Sequence, residues 1–171
     1  MAITVSELNA CPTAHFVSVC GPFYERSPWI AERTAVGRPY KSREELLHGF
    51  SATVECASAD EQLALIRSHP DLVGSATQKS ELTVESAREQ AAAGLGALNA
   101  DEVRRFRELN AAYWDKFGFP FIICARENKK EAILAAFPAR LASTREQERH
   151  TALEEIAKIA RLRLFDTVGE G

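Results

Sequence analysis

A histidine followed by proline is the first arrangement in this sequence that could do chemistry. In Arg67-Ser68-His69-Pro70-Asp71-Leu72 it closes the apolar run Gln62-Leu63-Ala64-Leu65-Ile66. Proline disfavours helical geometry in the residue before it, so a helix should stop at His69. An imidazole at a helix C-terminus faces the negative end of the dipole, which favours its protonated form and suits a general acid or base. The position equally suits a surface histidine that merely caps the helix. A second group lies in Leu82-Thr83-Val84-Glu85-Ser86-Ala87-Arg88-Glu89-Gln90, where Thr83 can cap a helix and Ser86, Glu89 and Gln90 fall at i, i+3 and i+4. A hydroxyl, a carboxylate and a carboxamide on one face could cradle a polar ligand with donors and acceptors in fixed geometry, or could form a solvated face. The small residues Ala91-Ala92-Ala93-Gly94 would let another element come close.

The run FGFPFIICAR at 117–126 is apolar almost throughout, and Gly118 and Pro120 break regular structure. A helix should stop at Gly118, leaving Phe119, Phe121, Ile122 and Ile123 on extended, buried backbone whose N–H and C=O groups need partners. A bound polar ligand or neighbouring helices would supply them. Arg163 follows Ile156 by seven residues and Ile159 by four, so it continues their apolar stripe, whereas Arg161 points elsewhere. An arginine there reaches for water, pairs with a carboxylate, or holds an anionic substrate. A metal-dependent hydrolase could use His69, Asp71 and Glu89. It would lack an H-x-x-x-H pair, because His15, His48 and His150 are remote from these motifs. Cys11, Cys20, Cys56 and Cys124 form no C-x-x-C pair, and each sits in an apolar or Ala-rich setting that suits a buried thiol.

These side chains must be positioned by helices. Ala, Leu, Glu and Arg dominate, and apolar residues recur at helical rather than alternating spacing, so the fold is expected to be all-α. Ser42 with Glu45, Ser58 with Glu61, Asn99 with Glu102 and Thr144 with Gln147 have the capping-box spacing of helix starts. The spacing predicts about eight helices, at about 12–20, 28–36, 43–57, 59–68, 84–95, 100–117, 129–142 and 145–167. In the one from 100, Val103, Phe106, Leu109, Tyr113 and Phe117 share a stripe, with Arg104, Arg105, Glu108 and Asp115 largely off it. Gly37-Arg38-Pro39 and the polar run 74–80 read as loops. With 171 residues, 46% hydrophobic and 26% charged, the chain is expected to form one compact domain over 1–171. A net charge of -3 argues against a general grip on nucleic acid or an anionic membrane. No stretch approaches the roughly 18 apolar residues of a membrane span. The first residues do not read as a secretory leader, and Val168-Gly169-Glu170-Gly171 does not read as a peroxisomal address, so the expected location is the reducing cytoplasm.

Taken together, His69-Pro70-Asp71-Leu72, the L-T-x-x-S-x-x-E-Q run at 82–90 and FGFPFIICAR at 117–126 resemble the signatures of the OHCU decarboxylase family, which acts on 2-oxo-4-hydroxy-4-carboxy-5-ureidoimidazoline in urate breakdown. The resemblance extends through Tyr24-Glu25-Arg26-Ser27-Pro28-Trp29 and Ile159-Ala160-Arg161-Leu162-Arg163-Leu164, and so covers nearly the whole chain. It implies an all-α carboxy-lyase, usually a homodimer, that yields (S)-allantoin with neither cofactor nor metal. It also implies catalytic roles for His69 and Glu89, and substrate binding by Pro70, Ser86, Gln90, Phe119, Phe121, Ile122, Ile123 and Arg163. The chemistry agrees with the lack of a cofactor, because the departing carboxylate sits on a carbon next to a ring C=N that can accept its electrons. A non-catalytic helical interaction module, the rival reading, would explain the helices but not a His-Pro stop, a polar helix face and an inward arginine at once.

Overall fold

The computed structural model describes residues 2–74 and 81–169. Among them are nine α-helices: α1 (Val5–Ala10), α2 (Thr13–Cys20), α3 (Pro28–Ala35), α4 (Arg43–Glu55), α5 (Ala59–Arg67), α6 (Val84–Ala92), α7 (Ala100–Phe117), α8 (Lys130–Leu141) and α9 (Arg145–Thr167). Short 3₁₀ turns cover Gly21–Phe23 and Ala125–Glu127, and two-residue strands β1 (Ile3–Thr4) and β2 (Val168–Gly169) pair in parallel. The fold is thus all-α apart from that small pair. All eight expected helices are present, and α1 is an addition. Of the expected loop 74–80, residues 75–80 lie outside the described residues.

Side-chain caps mark several of the helix starts. At α7 the Asn99 side chain accepts the Glu102 N–H at 2.9 Å while the Glu102 carboxylate accepts the Asn99 N–H at 3.0 Å. The same exchange joins Ser58 with Glu61 and Thr144 with Gln147, at 3.2 and 2.9 Å in both cases. At α4 only half of it forms, because Glu45 reaches back to the Lys41 N–H instead. The unexpected α1 carries the same signal: Thr4 and Glu7 form a capping box.

The chain divides into two compact units, Met1–Leu65 with Ala157–Gly171, and Ile66–Ile156. In the first, Phe50 of α4 stands at the centre of a ring cluster, with Phe16, Phe23 and Tyr24 centroids 6.3, 5.7 and 5.8 Å away. In the second, Phe106, Tyr113 and Phe117 of α7 meet Phe119, Phe121 and Phe137, and Phe121 stacks on Phe137 at 3.8 Å. Rings of this kind are prominent among the largest fully buried side chains.

One expectation needs correction. Cys20 and Cys124 are buried, but Cys11 is half-buried and Cys56 is exposed. Cys56 lies just past the end of α4, two residues beyond Val54, and so turns away from the face that Phe50 and Val54 bury. All four thiols are free. Of the small residues 91–94, Ala93 is buried and the Ala92 carbonyl accepts the Lys129 ammonium at 3.0 Å, whereas a Cβ on Gly94 would meet nothing within 4 Å. The Gly94 φ of +81° serves the turn that ends α6.

Candidate active site

Helix α5 ends as the His-Pro pair requires. The His69 N–H donates to the Ile66 carbonyl at 3.2 Å, and the helix stops at Arg67. His69 is only 9% exposed, so a surface capping histidine is not what this end of α5 holds. The turn after it is buried at Leu72 and Val73, and Val73 carries a φ of +55°. Leu72 lends its carbonyl to the Asn110 amide at 2.7 Å, and the Asp71 carboxylate accepts the Trp114 indole N–H at 2.8 Å.

Helix α6 is capped by Thr83, whose hydroxyl accepts the Ser86 N–H at 3.2 Å. Ser86 and Gln90 are buried and Glu89 is half-buried, so the polar face turns inward rather than to water. The Gln90 carboxamide meets the turn after α5: Nε2 donates to the Asp71 carbonyl at 3.4 Å, and Oε1 accepts the Val73 N–H at 3.3 Å. A carboxamide has two N–H groups and two lone pairs, so half of its capacity lies beyond these bonds. The His69 and Gln90 motifs are therefore joined through main chain.

Helix α7 ends at Phe117, and Gly118 takes the left-handed conformation with φ +75° while its N–H returns to the Trp114 carbonyl at 2.8 Å. Phe119, Phe121, Ile122 and Ile123 then run without regular structure and are buried, as expected. Charged side chains serve much of this backbone. Arg145 Nε donates to the Phe117 carbonyl and Arg67 Nε to the Gly118 carbonyl, both at 3.0 Å; Arg140 Nη1 donates to the Ile122 carbonyl, and the Cys124 N–H donates to Glu155 at 3.0 Å. The Arg140 guanidinium also lies 4.2 Å over the Phe121 ring and pairs with buried Glu148 at 2.8 Å, while Glu148 accepts the Tyr113 hydroxyl. Burial and the Glu148 carboxylate push the Tyr113 hydroxyl well above the usual phenol range, so it stays a donor.

Arg163 belongs to the other unit. It is 6% exposed, whereas Arg161 is exposed, so the stripe argument placed both correctly. Its Nη1 donates to the Pro22 carbonyl at 3.0 Å and to the buried Glu25 carboxylate at 3.3 Å. Among the described residues no three His, Cys, Asp or Glu side chains gather as a metal would need.

The sequence profile described as OHCU decarboxylase matches residues 9–165. This chain belongs to the OHCU decarboxylase family. The 2-oxo-4-hydroxy-4-carboxy-5-ureidoimidazoline decarboxylase of Haloferax volcanii is 39% identical over 164 residues, which is 96% of this chain and 95% of that one. A crystal structure of (S)-allantoin synthase has 33% identity and a TM-score of 0.78 over 97% of this chain, which spans only 54% of that longer chain. A crystal structure of OHCU decarboxylase in the presence of (S)-allantoin, 23% identical, shares the fold with a TM-score of 0.68 over 89% of this chain and 95% of that one. All four features singled out in the sequence fall inside the stretch that matches the OHCU decarboxylase family. So do two polar residues, one buried and one half-buried, that carry a spacing signal of their own. Asn110 stands on the α7 stripe between Phe106 and Tyr113, and Arg140 comes three residues after Phe137 on α8.

Proposed function

We propose that this chain decarboxylates OHCU to (S)-allantoin in urate breakdown, without cofactor or metal, as a cytoplasmic homodimer acting through one functional domain. Family membership over nearly the whole length supports the reaction. The observation that carries the site is the inward turn of His69, Ser86 and Gln90 within one compact unit, because buried polar groups are retained where their hydrogen bonds are used.

In this reading the bond from C4 to its carboxylate breaks and carbon dioxide leaves. The electron pair forms a C4=C5 bond while the C5=N pair moves to nitrogen, which takes up a proton. His69, oriented by Glu89, removes the C4 hydroxyl proton, and protonation of C5 on one face gives the ketone of (S)-allantoin. Acid–base help of this kind is worth about 10²–10⁴-fold. The remaining N–H and lone pair of Gln90, the Ser86 hydroxyl and main-chain amides near Ile122 hold the ring and ureido group, with Pro70, Phe119, Phe121 and Ile123 lining the pocket. Arg163 holds substrate oxygens through its planar pair of donors.

The direct test generates OHCU enzymatically from urate and follows its circular dichroism with and without the protein. A faster decay that ends in excess (S)-allantoin, unchanged after dialysis against chelator, is expected. Equal rates with and without protein would remove the reading, and loss of activity on chelation would revive a metal-dependent one. Sedimentation should give the mass of two chains.

A further inference from the structure

The turn after α5 is held by side chains from elsewhere in the sequence. Val73 adopts φ +55°, a conformation that crowds a β-branched side chain and is normally left to glycine. Backbone in such a state persists only where its surroundings over-determine it. Three side chains from two helices do so here. Gln90 spans the turn from the Asp71 carbonyl to the Val73 N–H, at 3.4 and 3.3 Å. Asn110 takes the Leu72 carbonyl at 2.7 Å, and Trp114, one turn further along α7, takes the Asp71 carboxylate at 2.8 Å.

Asn110 is the member that the core does not explain. It is 5% exposed on the apolar stripe of α7, and its Oδ1 is buried with no hydrogen-bond partner among the described residues. A carboxamide there leaves an acceptor unsatisfied, which an apolar side chain would not. What the amide supplies is a donor to the one carbonyl in the middle of the strained turn.

We propose that Asn110 is a positioning residue for His69: its bond to the Leu72 carbonyl, backed by Gln90 and Trp114, keeps residues 71–73 in the left-handed turn and so fixes the main chain that carries the imidazole. Asn110 touches no substrate in this scheme. The inference rests on His69 acting as the proton acceptor proposed above.

The test is a double-mutant cycle on OHCU turnover. Asn110→Ala should lower kcat about tenfold or more with KM within about twofold, after rates are normalised to the folded fraction from thermal melts. A purely structural asparagine would lower Tm and leave normalised kcat unchanged. Val73→Gly removes the crowding that the bond opposes, so the turn should stay in place without it. In the Val73→Gly background, Asn110→Ala should therefore cost several-fold less kcat than in the native background. Trp114→Phe, at a partly exposed site where folding is not at risk, should lower kcat about threefold and show the same relief by Val73→Gly. It carries the test if Asn110→Ala does not fold. Native kcat in both Asn110→Ala and Trp114→Phe, or equal losses in the two backgrounds, would overturn the proposal. Failure of the unaltered protein to act on OHCU, or full activity in His69→Ala, would instead sink the reading it rests on.

Discussion

In the role proposed above, the His69 imidazole serves proton transfer rather than holding the helix that precedes it. His69→Ala should therefore bring OHCU decarboxylation close to background while Tm moves by only a few degrees; unfolding of this variant would mark the histidine as structural. Glu89→Gln keeps shape and removes charge, and kcat should fall roughly 10²-fold, the scale of lost acid–base assistance, with little change in Tm. Glu85, one turn before Glu89, is half-buried like it. A cleaner control is Glu108→Gln on exposed α7 surface, where only a solvated pair with Arg104 is lost. At Arg163 two roles meet. Lysine cannot match the guanidinium geometry, so Arg163→Lys should weaken turnover or affinity, and exposed Arg161→Lys should be silent. Arg163→Ala removes one partner of a buried ion pair, the Glu25 side chain being 1% exposed, and should lower unfolding stability by about 3–5 kcal/mol in urea titrations. Arg163 was legible because an arginine on an apolar stripe is an anomaly. Asn110 and Arg140 obey the same rule, but neither lies in a segment whose residue types suggest chemistry, so nothing local points to them.

At the scale of elements, local signals were strong wherever a cap and a stripe coincided. The expected α7 and α9 end to end match Ala100–Phe117 and Arg145–Thr167. Helix α1 was missed because six residues are too few to show a period, although the Thr4–Glu7 box was present. The segment after α7 was legible as irregular and buried, but not in its partners. The Arg67 and Arg140 bonds to its carbonyls join residues 51 and 18 positions apart, beyond any local pattern. Two substitutions measure these local devices by urea unfolding. Asn99→Ala removes the α7 cap and should lose about 1 kcal/mol. Gly118→Ala should lose roughly 1–2 kcal/mol through the left-handed backbone alone, since its Cβ would meet only the Arg67 Nη2 at an ordinary 3.8 Å.

Over the whole molecule, burial sorts the four thiols more sharply than their sequence neighbourhoods do. Desolvation pushes the Cys20 thiol up to about 12 and the Cys124 thiol up to about 11, so both stay protonated and inert near neutral pH. Brief alkylation of the native protein at pH 8 should therefore label Cys56 first and Cys11 more slowly, reaching Cys20 and Cys124 only in denaturant. Rapid labelling of all four by peptide mapping would contradict the burial described.

The division of the chain also sets a timetable. The unit Ile66–Ile156 is one uninterrupted stretch, whereas the other needs residues from both sides of it: Ile3 pairs with Val168, and Glu25 waits for Arg163. A ribosome delivers the His69, Ser86 and Phe119 segments together, and only afterwards the helical turns that complete the unit begun first. Contacts so distant in sequence also form slowly, because a long loop must close before they contribute. A nascent chain therefore carries β1 without its β2 partner, and Glu25 without Arg163, until the end of α9 emerges.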